Sequence, residues 1–243
     1  MRIVVIIPAR YGSSRYRGKP LVKILGREMV LRVADICSKA VGKNNLYITT
    51  DSKKIEKIVS ASGYKCIFTS KNCLTGTDRV AEASKKINSN LIINVQGDEP
   101  LIEPKDIKKI IDAKKRYPNE VICGYNIIQK NEDPANKNIP KVVLNKNNNL
   151  IYISRSLVPG SIKKTKNVFY KQVCIYAFNK KELYKFHKVK KKSYIENIED
   201  IEILRFFDLG INIKMIRINS KSKAVDTIKD KIIVEKILLK KNV

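Results

Sequence analysis

The 243-residue chain predicts an α/β fold: a doubly wound, mostly parallel sheet in its first half and a mixed-sheet extension in its second. Short β-branched runs without polar alternation, clearest at residues 3–7 and 91–95, read as strands buried on both faces. Between such runs lie segments of helical period, as at residues 29–40, where Met29, Val30, Val33, Ile36 and Cys37 form one stripe. A hydrophobic content of 43% supplies enough apolar residues for a sizeable core.

The elements follow in order. Residues 2–7 predict a first strand, 29–40 a helix, 46–49 a strand, 53–60 a helix, 64–68 a strand, 78–87 a helix and 91–95 a strand. This β-α-β-α rhythm implies parallel pairing with helices on both faces, and ligands in such sheets bind beyond the carboxyl ends of the strands. The pattern then changes. Residues 142–144, 150–154 and 172–178 are strand-like, separated by an Asn-rich turn at 147–149 and a loop through 159–166. A helix is expected at 195–207, a strand at 213–218 and a last helix from about Thr227. With no internal repeat and no Gly/Ser linker, the expectation is one domain over 1–243, carrying its extension at about 125–212.

Composition narrows the function classes. The formal net charge is +27, yet only 11 of the 50 basic residues are Arg, and the lysines are spread over almost every segment. That distribution reads as solvated faces. Specific nucleic-acid binding is not expected, because Arg interleaved with aromatics on one face is missing. Such a field still steers a polyanionic small substrate inward. No apolar run approaches the roughly 20 residues of a membrane span. A secretory leader is not expected either, so the chain reads as cytoplasmic. Five cysteines without a Cys-x-x-Cys pair, beside a single His187, offer no zinc site of usual spacing and read as buried free thiols.

Two segments carry chemistry. The first strand runs directly into residues 8–20, Pro-Ala-Arg-Tyr-Gly-Ser-Ser-Arg-Tyr-Arg-Gly-Lys-Pro. Gly and Ser free backbone N–H donors there, while Arg10, Arg15, Arg17 and Lys19 bring cations to one loop, the combination a triphosphate needs. It is neither a P-loop nor a dinucleotide fingerprint. The strand at 91–95 ends in Gln96-Gly97-Asp98-Glu99-Pro100, which places a carboxylate where Mg²⁺ can be held against a phosphate. Phosphoryl-group chemistry needs both features, a metal and a cationic cradle.

The opening P-A-R-x-x-S-x-R-x-x-G-K-P-L resembles the signature of sugar-activating cytidylyltransferases. In order there follow Thr75-Gly76-Thr77-Asp78-Arg79, the Asn94-to-Pro100 run, Lys141-Val142-Val143, Tyr152-Ile153-Ser154-Arg155 and Ile175-Tyr176. The acidic segment 196–205 and Val225-Asp226-Thr227 complete the series. Together these resemble the 3-deoxy-manno-octulosonate (Kdo) cytidylyltransferase family over residues 3 to about 237. The resemblance implies a Rossmann-like nucleotidyltransferase fold and transfer of CMP from CTP to an acidic eight-carbon sugar, releasing pyrophosphate, for lipopolysaccharide or capsule synthesis. It implies that Arg10 and Lys19 contact the triphosphate, with Ser13, Ser14 and Arg15 supporting the loop, and that Thr77 and Arg79 read cytosine. Asp98 and Asp226 match the family's magnesium pair, with Arg10, Lys19 and Asp98 the expected catalytic set. Gln96, Arg155, Gln172, Tyr176, Glu196 and Glu199 fall where the sugar and its carboxylate are held, and members are typically homodimers.

Two departures lie on the sugar side. Gln172 stands where the family pattern has His, and Asn197 replaces the His of its Glu-His-Ile-Glu helix. Each exchanges a titratable donor for a neutral amide. Kdo is the expected sugar, with 8-amino-Kdo or another ulosonate such as sialic acid as the alternative. An apolar stripe at Ile201, Leu204 and Phe206 suits either a dimer contact or a core helix, and the core is expected.

Overall fold

A computed structural model describes residues 1–12, 16–160, 162, 168–219 and 223–241. Ser13, Ser14 and Arg15 therefore lie outside the described residues. Strand β1 (Ile3–Pro8) leads through a 3-10 turn (Lys19–Leu21) and a two-stranded ribbon, β2 (Lys23–Ile24) and β3 (Arg27–Glu28), into α1 (Met29–Val41). There follow β4 (Leu46–Thr50), α2 (Lys53–Ala61), β5 (Lys65–Phe68), α3 (Gly76–Ser84), β6 (Leu91–Val95) and α4 (Pro104–Arg116). The second half holds β7 (Val121–Ile127), β8 (Lys141–Leu144), β9 (Leu150–Ser154) and β10 (Tyr170–Asn179). It closes with α5 (Lys180–Lys188), α6 (Tyr194–Glu199), α7 (Leu204–Asp208), β11 (Ile213–Arg217) and α8 (Ile228–Lys241).

The main sheet runs β11-β7-β10-β6-β1-β4-β5, with β8 and β9 branching from β10. Pairings of β1 with β4 and β6, of β4 with β5 and of β7 with β11 are parallel, whereas β10 is antiparallel to both β6 and β7. One reversed strand in an otherwise parallel path is the mixed character expected of the second half. The order also creates a switch point. From β1 the chain builds outward to β4 and β5, then returns to place β6 on the other side of β1. The crevice beyond the carboxyl ends of β1 and β6 is where such sheets bind ligands.

Alternate residues of each strand feed two cores, as the two-residue period requires. Val5, Ile7, Ile93 and Ile175 pack toward α1 and α4, whose contributions include Val33 and Ile110. Val4, Ile6, Ile92 and Phe178 pack on the other face with Val80 of α3, Phe186 of α5 and Phe206 of α7. The rings of Phe178, Phe206 and Phe186 stack in series at 5.0 and 4.6 Å. A smaller cluster of Ile24, Met29, Leu101, Val225 and Val234 pins α8 over the ribbon and the loop after β6. Ile201, Leu204 and Phe206 are buried, in keeping with the core reading.

The helix expected at 195–207 is instead two short helices. Asp200 adopts the left-handed region (φ 49°) and ends α6, and α7 begins only at Leu204. On a continuous helix Glu196, Glu199 and Glu202 share one face, since residues three apart are neighbours. The break sends the three carboxylates to three different partners.

Candidate active site

The crevice is a cleft of about 450 Å³, lined by the loops after β1 and β6, the start of α3, the first half of β10 and the segment before α8. Its floor is built by close approach. A Cβ on Gly97 meets the Pro8 carbonyl oxygen at 3.1 Å, a tight contact that glycine avoids as the two strand ends approach. Gly18 sits at φ 72°, donates its N–H to Tyr11 O at 2.9 Å and delivers Lys19 into the cleft.

Lys19 is the centre of the charged end. Its Nζ donates to Asp98 Oδ2 at 2.6 Å and to Asp226 Oδ1 at 2.9 Å. Burial works against this ammonium, but the two carboxylates more than offset it and raise its pKa above 10.5. Asp226 reaches Asp98 across the sequence because Val225 is buried in the small core and donates its N–H to Asp98 O at 2.9 Å. Arg10 is exposed on the same rim.

The α3 wall is buried and ordered by polar contacts. Thr75 and Asp78 form a reciprocal capping box at the helix start. The Thr77 N–H donates to Glu202 Oε2 at 2.9 Å, and its hydroxyl accepts from Asn94 Nδ2 at 3.1 Å. Arg79 donates to Thr69 Oγ1 at 2.6 Å and to Asp51 Oδ2 at 2.8 Å. Gln96 donates to Glu202 Oε1 at 2.6 Å, so Glu202 ties α3 to the end of β6. Burial raises the Glu202 pKa above 4.5, which the Thr77 hydrogen bonds only partly counter.

Behind this wall Arg205 is fully buried. It donates to both Asp78 oxygens, at 2.8 and 3.1 Å, and to both Glu196 oxygens, each at 2.7 Å, while its guanidinium lies 3.9 Å over the Phe186 ring. Glu196 also accepts from the Ser193 N–H, so its oxygens face protein donors although it borders the cleft. Glu199 turns away to β9, accepting from Ser154 Oγ at 2.6 Å, the Arg155 N–H at 2.8 Å and Tyr152 OH at 3.3 Å. The Arg155 fork, expected to face a carboxylate, donates to the main-chain oxygens of Glu199, Lys137 and Asp200.

On β10, Gln172 Nε2 donates to Tyr176 OH at 3.2 Å, and both side chains line the cleft. Thus Arg10, Lys19, Arg79, Gln96, Asp98, Arg155, Gln172, Tyr176, Glu196 and Asp226 share one cleft, whereas Thr77 and Glu199 support it from behind. Among the lining residues with no role assigned from sequence are Glu202, Lys171 and Glu132. Glu202 lay within the quoted acidic segment, but nothing in its spacing told it from a helix-surface carboxylate. Lys171 and Glu132 form an ion pair at 2.5 Å on the extension side, and Glu132 sits in a polar loop without periodicity.

The donor set suits a magnesium ion: two carboxylate oxygens converge on one point, and hard cations of this size are held by one or two carboxylates plus substrate phosphates. Among the described residues no cluster of three or more His, Cys, Asp or Glu forms a self-sufficient metal cage. No helix among the described residues is long and apolar enough to cross a membrane.

A doubly wound sheet with this cleft at its switch point is the architecture of the nucleotidyltransferase class. An inositol-1-phosphate CTP transferase from T. maritima shares the fold at TM-score 0.69 with 16% identity, over 99% of this chain and 96% of that one. A CMP:2-keto-3-deoxy-manno-octonic acid synthetase solved in complex with CTP matches at TM-score 0.90 and 32% identity, over 99% of this chain and 100% of the other. The family model described as cytidylyltransferase matches residues 4–216, and the chain belongs to that family. It is 36% identical to the 8-amino-3,8-dideoxy-manno-octulosonate cytidylyltransferase of Shewanella frigidimarina, over 95% of this chain and 96% of the relative. To the 3-deoxy-manno-octulosonate cytidylyltransferase of Escherichia coli it is 33% identical, over 93% and 92%.

Proposed function

We propose that the protein transfers CMP from CTP to the anomeric hydroxyl of Kdo, releasing pyrophosphate, with magnesium as its cofactor. The observation that carries the reading is the convergence of Lys19, Asp98 and Asp226 at the switch-point crevice, a cation and two carboxylates beside the basic loop after β1. Arg10 and Lys19 neutralise the triphosphate, and Asp98 with Asp226 would hold the metal, which when bound supplies positive charge against the reacting phosphate and the departing pyrophosphate. The sugar oxygen attacks the α-phosphorus as the bond to the β-phosphate oxygen breaks. The chain's task is to place these atoms in line, without a covalent intermediate.

Arg79 and Thr77 shape the base-reading wall, while Gln96, Tyr176 and Gln172 present polar groups to the sugar. With its guanidinium on main-chain oxygens, Arg155 acts by holding α6 against β9; Glu196 and Glu199 act through Arg205 and Ser154. Both substrates carry negative charge, and the protein's +27 favours their entry. We further propose a cytoplasmic homodimer, supported by the family resemblance and by the exposed apolar Tyr194, Ile198 and Phe207 of the extension.

A second reading, 8-amino-Kdo as the sugar, is favoured by Gln172. Its neutral amide meets an ammonium-bearing sugar without the like-charge penalty a protonated histidine imposes. Pyrophosphate release with CTP, Mg²⁺ and a panel of Kdo, 8-amino-Kdo and sialic acid separates the two. Release with Kdo is expected; preference for the amino sugar moves the substrate, and silence with all three sinks the reading. Asp98→Asn and Asp226→Asn are each expected to abolish turnover with the fold intact by circular dichroism. Near-normal rates from both overturn the metal assignment.

A further inference from the structure

The ammonium of Lys19 occupies the place where the two acidic side chains converge. Resting on the metal assignment proposed above, we infer that Lys19 is the resident counter-ion of the Asp98–Asp226 pair and keeps divalent metal out of the nucleotide-free enzyme until a triphosphate draws the ammonium away. A magnesium ion bonded at about 2.1 Å to Asp98 Oδ2 lies within about 5 Å of Nζ, whichever side of the oxygen it takes. A doubly charged ion and an ammonium then compete for the same two oxygens. Lys19 is well placed to hold: its side chain is 13% exposed, and the 3-10 turn that carries it is fixed by buried Pro20 and the Gly18 contact to Tyr11.

The same lysine stands at the end of the basic loop after β1, the segment expected to wrap the phosphates. Triphosphate oxygens offer the ammonium a second set of acceptors, and once it turns to them it gives up the two carboxylate oxygens that it shares with the metal position. Loading is thereby ordered, with nucleotide and metal arriving together and free metal bound poorly. Asp226 is anchored by Val225 in its small core, so the acids cannot simply part.

The test is a nucleotide-free Mn²⁺ titration, read as loss of the free aquo-ion signal by electron paramagnetic resonance. It compares wild type, Lys19→Met, Lys19→Arg and the double variant Lys19→Met/Asp226→Asn. Removing the ammonium is expected to tighten Mn²⁺ binding at least tenfold, Lys19→Arg to bind as weakly as wild type, and the double variant to lose the gain. Should Lys19→Met fail to fold by thermal unfolding, Lys19→Gln, which keeps a neutral donor to the acids, takes its place. Binding by the Lys19 variant no tighter than wild type overturns the counter-ion role. In that event, weakened Mn²⁺ binding by Asp226→Asn in the presence of CTP shows that the metal reading itself survives. A gain that persists in the double variant places the ion elsewhere and overturns both.

Discussion

Arg205 shows how a single side chain organises the rear of the cleft. Its two forks hold Asp78 and Glu196, each the third helical residue of a capping box begun by Thr75 in α3 and by Ser193 in α6, so one guanidinium supports two helix starts. Removing one partner of a buried ion network leaves uncompensated charge. Arg205→Met is expected to lose about 3–5 kcal/mol in urea unfolding. Arg205→Lys should recover little, because a point charge cannot satisfy both carboxylates bidentately. Glu202 makes a pH-dependent contribution. Its folded pKa lies above 4.5 through burial, so protonation favours the folded state and that stabilisation is lost as pH rises through the shifted value. Relative to Glu202→Gln, the wild type should therefore lose stability as pH climbs from 4.5, measured as urea midpoints along a pH series. A parallel pair of profiles refutes it. Neither residue's role was legible in sequence, since each depends on a partner more than a hundred positions away.

Among the elements, the strands were the most legible, because uninterrupted apolar runs such as Leu91–Val95 admit few other readings at that length. The loop after β1 and the Asp98 turn announced the charged end of the site through composition alone. The break at Asp200 was hidden: an aspartate in the left-handed region is spelled like any helix-surface aspartate, and the apolar stripe continues across it. Capping is easier to anticipate and to test. Asn179 accepts from the Glu182 N–H at 2.8 Å to start α5, and its amide donates to Pro118 O. Asn179→Ala should lower unfolding stability by about 1 kcal/mol. The KM for CTP should stay as in the wild type, because Asn179 does not line the cleft. A changed KM would tie α5 to the nucleotide.

For the molecule as a whole, the +27 charge acts at long range. Raising ionic strength from about 0.01 to 0.15 M shortens the screening length from about 30 to 8 Å, so kcat/KM for CTP should fall several-fold while saturated kcat changes little. A flat profile confines the effect to Lys19 and Arg10. The reversed strand β10 has a different consequence. Because it runs antiparallel to β6 and β7, its opening residues reach the same edge of the sheet as the closing residues of β6. Gln172 and Tyr176 thus reach the cleft from a strand rather than from a loop, on either side of a register shift in its pairing with β7. The same irregularity means that the strand already carries extra residues between these two positions, so their spacing is set by the bulge as much as by the two-residue period of the ladder.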